Sequence, residues 1–293
     1  MPRLSARAVL KTALARLGVL DTARRIRDAV TALGWVAHNR RFLRNGGGDS
    51  LPIPSARLVM LTTASPSIEW FVQSGRAGAD SIRALLARHD TPLSDVQTIL
   101  DFGCGCGRVL RHWADLPAEV HGCDYNPVLI DWCRQRLSFA QFETNGLEPP
   151  LPYPAASFDL IYALSVFTHL PEPLHSRWVA ELARVLRPGG HLIISTHGEA
   201  YLDTLSATER DRFHAGDLVV HDADAAGSNR CGVFFAEAYL RHLAPGLVLR
   251  EHVTRGARGN PPQDLSLLQA RRSDSSPPSS PRRGTAPPAV STR

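Results

Sequence analysis

One short segment constrains the fold of this chain more than any other: Asp101-Phe102-Gly103-Cys104-Gly105-Cys106-Gly107-Arg108. It closes the apolar run Thr98–Phe102 and leads into a pattern that predicts a helix from Arg108. Glycines at alternate positions let the backbone turn tightly and approach a ligand closely, with the first helical amides facing it. Downstream, apolar runs of strand length alternate with helical patterns: Glu119–Cys123, a helix from Pro127, Phe158–Ser165, a helix over Leu174–Leu186, then His191–Thr196. Strands separated by helices need crossover connections, so the pattern predicts an α/β chain with a mostly parallel sheet covered on both faces. Leu247–Val253 and Leu265–Ala270 read as two closing strands.

The remainder organises around that block. Val9, Leu10, Ala13, Leu14 and Leu17, then Ala23, Ile26, Ala29, Val30 and Leu33, recur at helical spacing with arginines between them. Residues 1–48 are therefore expected to form an amphipathic helical extension. It could pack on the main domain or a second copy, or lie on an anionic membrane. Gly46-Gly47-Gly48 ends it, and Pro52, Pro54 and Pro66 mark an irregular stretch before a helical run over Ala77–Arg88. The α/β domain is expected over 49–272, with a polar lid or insert at about 199–235 that holds Tyr201, His214, His221 and Asp222. Residues 273–293, rich in Ser, Pro and Arg, are expected to be disordered.

Charge says little about partners. The formal net charge is +5, but much of the excess sits at the two ends, and Lys11 is the single lysine among 33 basic residues. An arginine-for-lysine bias is what a GC-rich genome imposes without selection for a polyanion. No apolar run approaches the roughly 20 residues needed to cross a bilayer, and the start lacks a secretory apolar core and cleavage site. A cytoplasmic protein with reduced thiols is the expectation. Cys104 and Cys106 have no second pair at ligand spacing, so no metal is expected.

The spacing of the glycine turn is informative. Gly-x-Gly-x-Gly with an acidic residue two positions upstream differs from the dinucleotide fingerprint Gly-x-Gly-x-x-Gly, whose last position would be filled here by Arg108. The second strand ends in Cys123-Asp124-Tyr125-Asn126-Pro127. A carboxylate there lies beside the first turn and can accept both hydroxyls of a ribose. Tyr125 would lie along the adenine. The alternative for Asp124 is the N-cap of the helix near Pro127.

With these segments in order, the sequence resembles a bacterial class I S-adenosylmethionine-dependent methyltransferase of the small-molecule type, with a methyltransferase type 11/12-like domain. It carries "LDFGCGCGRVLR", "GCDYNP", "FDLIYALSVFTHL" and "ELARVLRPGGHLIISTHG", and the pattern reaches "QDLSLLQA". The resemblance implies a Rossmann-like, seven-stranded sheet and S-adenosyl-L-methionine as cofactor. It assigns Asp101, Gly103, Gly105 and Gly107 to the methionine moiety and Asp124 to the ribose. Asn145, beside Gly146 and Leu147, falls where an acidic or amide side chain meets the adenine, and the backbone of Ala163, Leu164 and Ser165 would line the methionine side. Pro188-Gly189-Gly190 reads as a turn before the fifth strand.

The implied activity is methyl transfer to a hydroxyl or amine of a small molecule such as a sugar, lipid-linked or secondary metabolite. A hydroxyl acceptor needs a base. His169 and His197 are the candidate catalytic residues because they follow the fourth and fifth strands, where open sheets place their sites; the alternative for His169 is a neutral ring bonded to backbone in the Phe167–Leu170 turn that shapes the cofactor pocket. Glu199 stands near, and Arg108 either binds an acceptor anion or pairs on a helix surface. Two rival functions are kept: an RNA methyltransferase, against which stands the absence of a recognisable RNA-binding module, and a non-catalytic S-adenosylmethionine-binding scaffold, against which stand the intact turn and Asp124. Nucleic acid is thus not the expected partner, while peripheral membrane contact and homodimerisation stay open.

Overall fold

The computed structural model describes residue 27 and residues 30–243, 246–259 and 263–271. The first part of the N-terminal extension and the tail after Arg271 lie outside the described residues.

Seven strands form one sheet in the order β3-β2-β1-β4-β5-β9-β8. They are β1 (Thr98–Phe102), β2 (Glu119–Asp124), β3 (Ala140–Thr144), β4 (Phe158–Ala163), β5 (Leu186–Thr196), β8 (Leu247–Ala257) and β9 (Gln263–Ala270). β1 to β5 pair in parallel, and β9 is antiparallel to both β5 and β8. The strand order reverses between β1 and β4, the switch point where ligands of open α/β sheets bind. A second pair, β6 (Val219–His221) with β7 (Gly232–Phe234), lies in the connection after β5.

Seven α-helices are described: α1 (Val36–Arg44), α2 (Ala56–Thr63), α3 (Ile68–Ala87), α4 (Pro127–Arg136), α5 (Glu172–Val185), α6 (Ala207–His214) and α7 (Glu237–Leu243). Apolar side chains pack on both faces of the sheet, as a parallel sheet requires. Phe71, Ile82, Leu86, Trp113 and Ile130 lie in one cluster, and Phe158, Phe167, Trp178, Leu182 and Phe235 in the other. Among the described residues no helix is long and apolar enough to cross a membrane.

Several elements differ from the sequence expectations. The helix expected from Arg108 is a short 3-10 turn over Leu110–Trp113. Its backbone is pressed against α3, since a Cβ on Gly75 would lie 2.0 Å from the Arg108 carbonyl oxygen, and Arg83 takes the His112 carbonyl at 2.8 Å. The run expected over Ala77–Arg88 begins nine residues earlier, where Ser67 caps α3 by accepting Trp70 N–H at 3.1 Å. Pro188-Gly189-Gly190 is not a turn before β5 but part of it, at a register shift opposite β4. β3 was not anticipated, because its burial is limited to Phe142 and its outer residues are polar.

The described end of the extension is tied down at two points. Asn39 on α1 donates to the Pro66 carbonyl at 2.9 Å and accepts Ile68 N–H at 3.0 Å. Asp49 binds Arg111 through both carboxylate oxygens at 2.6 Å. The second pair fixes the chain entering α2 against the turn after β1.

Candidate active site

A cavity of about 470 Å³ opens at the carboxyl ends of β1, β2 and β4. Asp101, Gly103, Gly105, Asp124, Tyr125, Asn145, Gly146, Ser165 and His169 all line it, although they come from four separate segments. Gly107 and His197 do not belong to its lining.

The glycine turn is a cradle with no room for side chains. Gly103, Gly105 and Gly107 have φ of +79°, +57° and +76°, a region that side-chain-bearing residues rarely adopt. A Cβ on Gly103 would meet Val166 at 2.4 Å and one on Gly105 would meet Thr62 at 2.5 Å. Gly107 thus acts on the site through the turn, packed over Leu137.

Asp124 joins two turns. One carboxylate oxygen accepts Gly105 N–H at 2.9 Å and the other accepts Asn126 N–H at 2.8 Å. It does not cap α4, because that place is taken by Asn126, whose side chain accepts Val128 N–H. Burial pushes the Asp124 carboxyl up, against the two backbone N–H groups that favour its charge. Each carboxylate oxygen retains a lone pair that these bonds do not use, and Asp124 lines the cavity. Asn145 follows β3; its amide N–H donates to Gly146, and its Oδ1 is buried without a hydrogen-bond partner. Tyr125 is 43% exposed at the wall.

Asp101 ends β1 in a buried network. Burial raises its carboxyl to about 7, opposed by a hydrogen bond with Tyr162 and by the charge of Arg108, and assisted by Asp124. The Tyr162 hydroxyl also accepts Trp113 Nε1–H at 2.8 Å. Arg108 is 8% exposed and reaches Ser74 at 3.3 Å, so it is not a surface arginine.

Ser165, at φ +62°, is held by a closed ring. Its N–H donates to Ser195 Oγ at 2.7 Å, Ser195 donates to Gln263 Oε1 at 2.7 Å, and Gln263 Nε2 donates to Ser165 Oγ at 2.9 Å. The Ser165 hydroxyl, accepting from Gln263, also lies 3.4 Å from Thr168 Oγ1.

His169 sits on a 3-10 turn after β4. Its Nδ1–H donates to the Cys231 carbonyl at 2.7 Å, which leaves Nε2 as an acceptor in the neutral ring. Burial lowers its pKa, so the ring is neutral at pH 7. His197 is different: burial, with the neighbouring His169, takes it down to about 3. It packs in a cluster with Tyr201 at 4.2 Å and Phe234 at 5.1 Å, outside the cavity lining. Glu199 is exposed at the start of a 3-10 turn.

The insert after β5 is folded. α6, closed by the Ser206–Glu209 capping box, and the β6–β7 pair enclose Leu205, Phe213, Val219 and Phe234. The loop before β7 reaches the cavity at Gly227, Ser228, Asn229 and Arg230. Gly227 N–H donates to the His169 carbonyl at 2.8 Å, and a Cβ there would meet Leu147 at 2.8 Å.

Sequence reasoning missed four contributors. Thr62 accepts Cys106 N–H at 3.2 Å and so docks α2 on the glycine turn. Trp178 on α5 lines the cavity and donates to the Leu147 carbonyl at 3.0 Å. Gln263 and Gly227 complete the set; for Gly227 the run Gly-Ser-Asn was a visible turn signal, whereas nothing in the sequence marked the other three.

Comparison with known proteins agrees with this geometry. A family model described as a methyltransferase domain matches residues 100–194. The chain is 30% identical over 181 residues to a probable S-adenosylmethionine-dependent methyltransferase of Mycolicibacterium smegmatis, covering 58% of this chain and 68% of that one. It is 38% identical over 116 residues to a trans-aconitate 2-methyltransferase of an Azoarcus species, covering 38% and 43%. With a malonyl-(acyl-carrier protein) O-methyltransferase of Enterobacter lignolyticus it shares 29% over 175 residues, covering 58% and 66%.

Proposed function

Because the chain belongs to the S-adenosylmethionine-dependent methyltransferases, we propose that it transfers a methyl group from S-adenosylmethionine to an oxygen of a small molecule, with His169 receiving the displaced proton. S-adenosylmethionine is the family's cofactor, and the residues present fit it. Asn145 Oδ1, buried without a partner, suits the amino group of an adenine. The remaining lone pairs of Asp124 suit the two ribose hydroxyls. Gly103 and Gly105 bring bare backbone to the cavity in a left-handed turn, and Asp101 stands at its base, suited to the methionine end. Tyr125, Gly146 and Ser165 complete that set.

The bound cofactor supplies an electrophilic methyl group on a sulfonium, which an aligned nucleophile displaces in line. The protein's tasks are alignment and exclusion of water. The loop at Gly227 covers the cavity over Tyr125 and Leu147, and Trp178 fills the wall behind Leu147. The observation that carries the acceptor reading is the orientation of His169: Nδ1–H is committed to the Cys231 carbonyl, so the basic Nε2 is the atom left to take a proton from a hydroxyl. Two of the relatives are an O-methyltransferase of an acyl carrier and a methyltransferase of trans-aconitate, which also favours an oxygen over an amine.

The test is the pH profile of methyl transfer. With His169 as base, activity is level through neutrality and declines on the acid side, and the decline disappears in His169→Asn, which keeps a donor for Cys231 but has no base. An acid limb identical in the variant sinks the assignment.

A further inference from the structure

Asp101 is the cavity end of a chain of buried polar side chains. Asp101 on β1 and Tyr162 on β4 are register partners in a parallel pair, so their side chains leave the sheet side by side on one face. Asp101 is 4% exposed and Tyr162 is fully buried, as is Trp113 from the 3-10 turn that follows the glycine turn. The Trp113 indole N–H reaches the Tyr162 oxygen at 2.8 Å, with the two rings edge to face and 6.1 Å between their centres. Behind them the Arg83 guanidinium lies 4.6 Å from the centre of the Trp113 ring, and Arg83 is itself held by Asp80 and the His112 carbonyl.

An indole can only donate, so the phenol oxygen accepts, and its single hydrogen is committed to another acceptor. That acceptor is the Asp101 carboxylate. We propose that Tyr162 is a positioning residue for the cofactor: its hydroxyl, oriented by Trp113, clamps the Asp101 carboxylate for the methionine ammonium. The proposal rests on the reading that Asp101 meets that ammonium. A carboxylate this deep is driven toward its neutral form, which cannot pair with a cation. Burial raises the Asp101 carboxyl to about 7 and the Asp124 charge adds to the rise, while Tyr162, the Arg108 guanidinium and the Leu110 N–H oppose it. Burial also holds the neighbouring Cys104 and Cys123 thiols well above their usual range, so both are neutral at pH 7. Of the opposing groups, Tyr162 is the one that the loss of a single oxygen takes away with no change of charge. Because the phenol is fixed at both ends, the carboxylate is set before the cofactor arrives, which reduces the ordering cost of binding.

The test follows S-adenosylhomocysteine binding to the full chain by calorimetry from about pH 5.5 to about 8.5, for the native protein, Tyr162→Phe and Asp101→Asn. Affinity of the native protein is expected to rise with pH through 7. Tyr162→Phe is expected to move the midpoint of that rise up by about one pH unit, so that binding at pH 7 weakens about fivefold and the deficit narrows as pH increases. A merely structural role for Tyr162 lowers affinity by the same factor at every pH, and a midpoint left in place overturns the proposal. If Tyr162→Phe does not fold, the chain made with ring-fluorinated tyrosine, a stronger donor of nearly the same size, replaces it. Its midpoint then moves to lower pH, and an unmoved or rising midpoint overturns the proposal. The Asp101 reading fails separately, by a native affinity that does not depend on pH or by a dependence that survives in Asp101→Asn, and either outcome takes the proposal with it.

Discussion

The two halves of the cavity are built on different principles. The side proposed for the cofactor is built of backbone and short side chains within a few residues of each strand end: the glycine turn, Asp124 with its two N–H donors, and Asn145. On the side proposed for the acceptor, the lining comes from Arg27, α2, the turn after β4 and the insert, joined by long-range bonds such as Thr62 to Cys106. A site for a fixed cofactor can be written into local turns, whereas a site for a particular acceptor is written into segments that can change independently.

That contrast can be broken by substitution. The largest effect is expected on the cofactor side. Asp124→Ala removes the ribose acceptor and leaves the Gly105 and Asn126 N–H groups unpaired, so S-adenosylhomocysteine affinity should fall about a hundredfold, roughly 3 kcal/mol. A calorimetric loss below about tenfold would mean that the two halves are not separable in this way. His169→Asn is the matching cut on the other side: kcat should drop about a hundredfold with cofactor affinity unchanged.

Smaller effects sharpen the comparison. Gln263→Leu opens the ring around Ser165 and leaves the buried Ser195 hydroxyl without its acceptor. We expect kcat to fall about tenfold and the melting temperature to drop, consistent with a buried polar group losing its partner. A rise in KM for S-adenosylmethionine beside it would support Ser165 in the proposed cofactor set, and an unchanged KM would take it out of that set. The smallest effect is set by pH. Asp101 has its carboxyl raised to about 7, so it is half protonated near neutrality and mostly neutral at pH 6. If the charged form meets the methionine ammonium, S-adenosylhomocysteine affinity rises with pH through 7, and it should weaken about fivefold between pH 7 and 6. Titrations at the two pH values on the native protein and on Asp101→Asn, in which the dependence should vanish, check this.

The parallel core of the sheet was legible because its strands announce themselves as apolar runs bounded by turn residues, and the glycine turn because side chains are sterically barred from it. β3 was not, since an edge strand with one buried side chain has no pattern to read. The helix expected after the turn was misread because the local pattern is helical while packing against Gly75 shortens it to a 3-10 turn. His169 and His197 illustrate the same limit from the side of function. Both follow strand ends in the sequence, yet one is anchored to a backbone carbonyl through Nδ1 and lines the cavity, and the other packs in an aromatic cluster with Tyr201 and Phe234.

By itself, then, the sequence determined the sheet's parallel core, the glycine turn after β1 and the carboxylate at the end of β2, because each is fixed by the conformational limits of neighbouring residues. Which histidine faces the cavity and what holds Ser165 in its left-handed conformation were decided only by tertiary packing, because those contacts depend on separations of up to about a hundred residues that no local preference encodes.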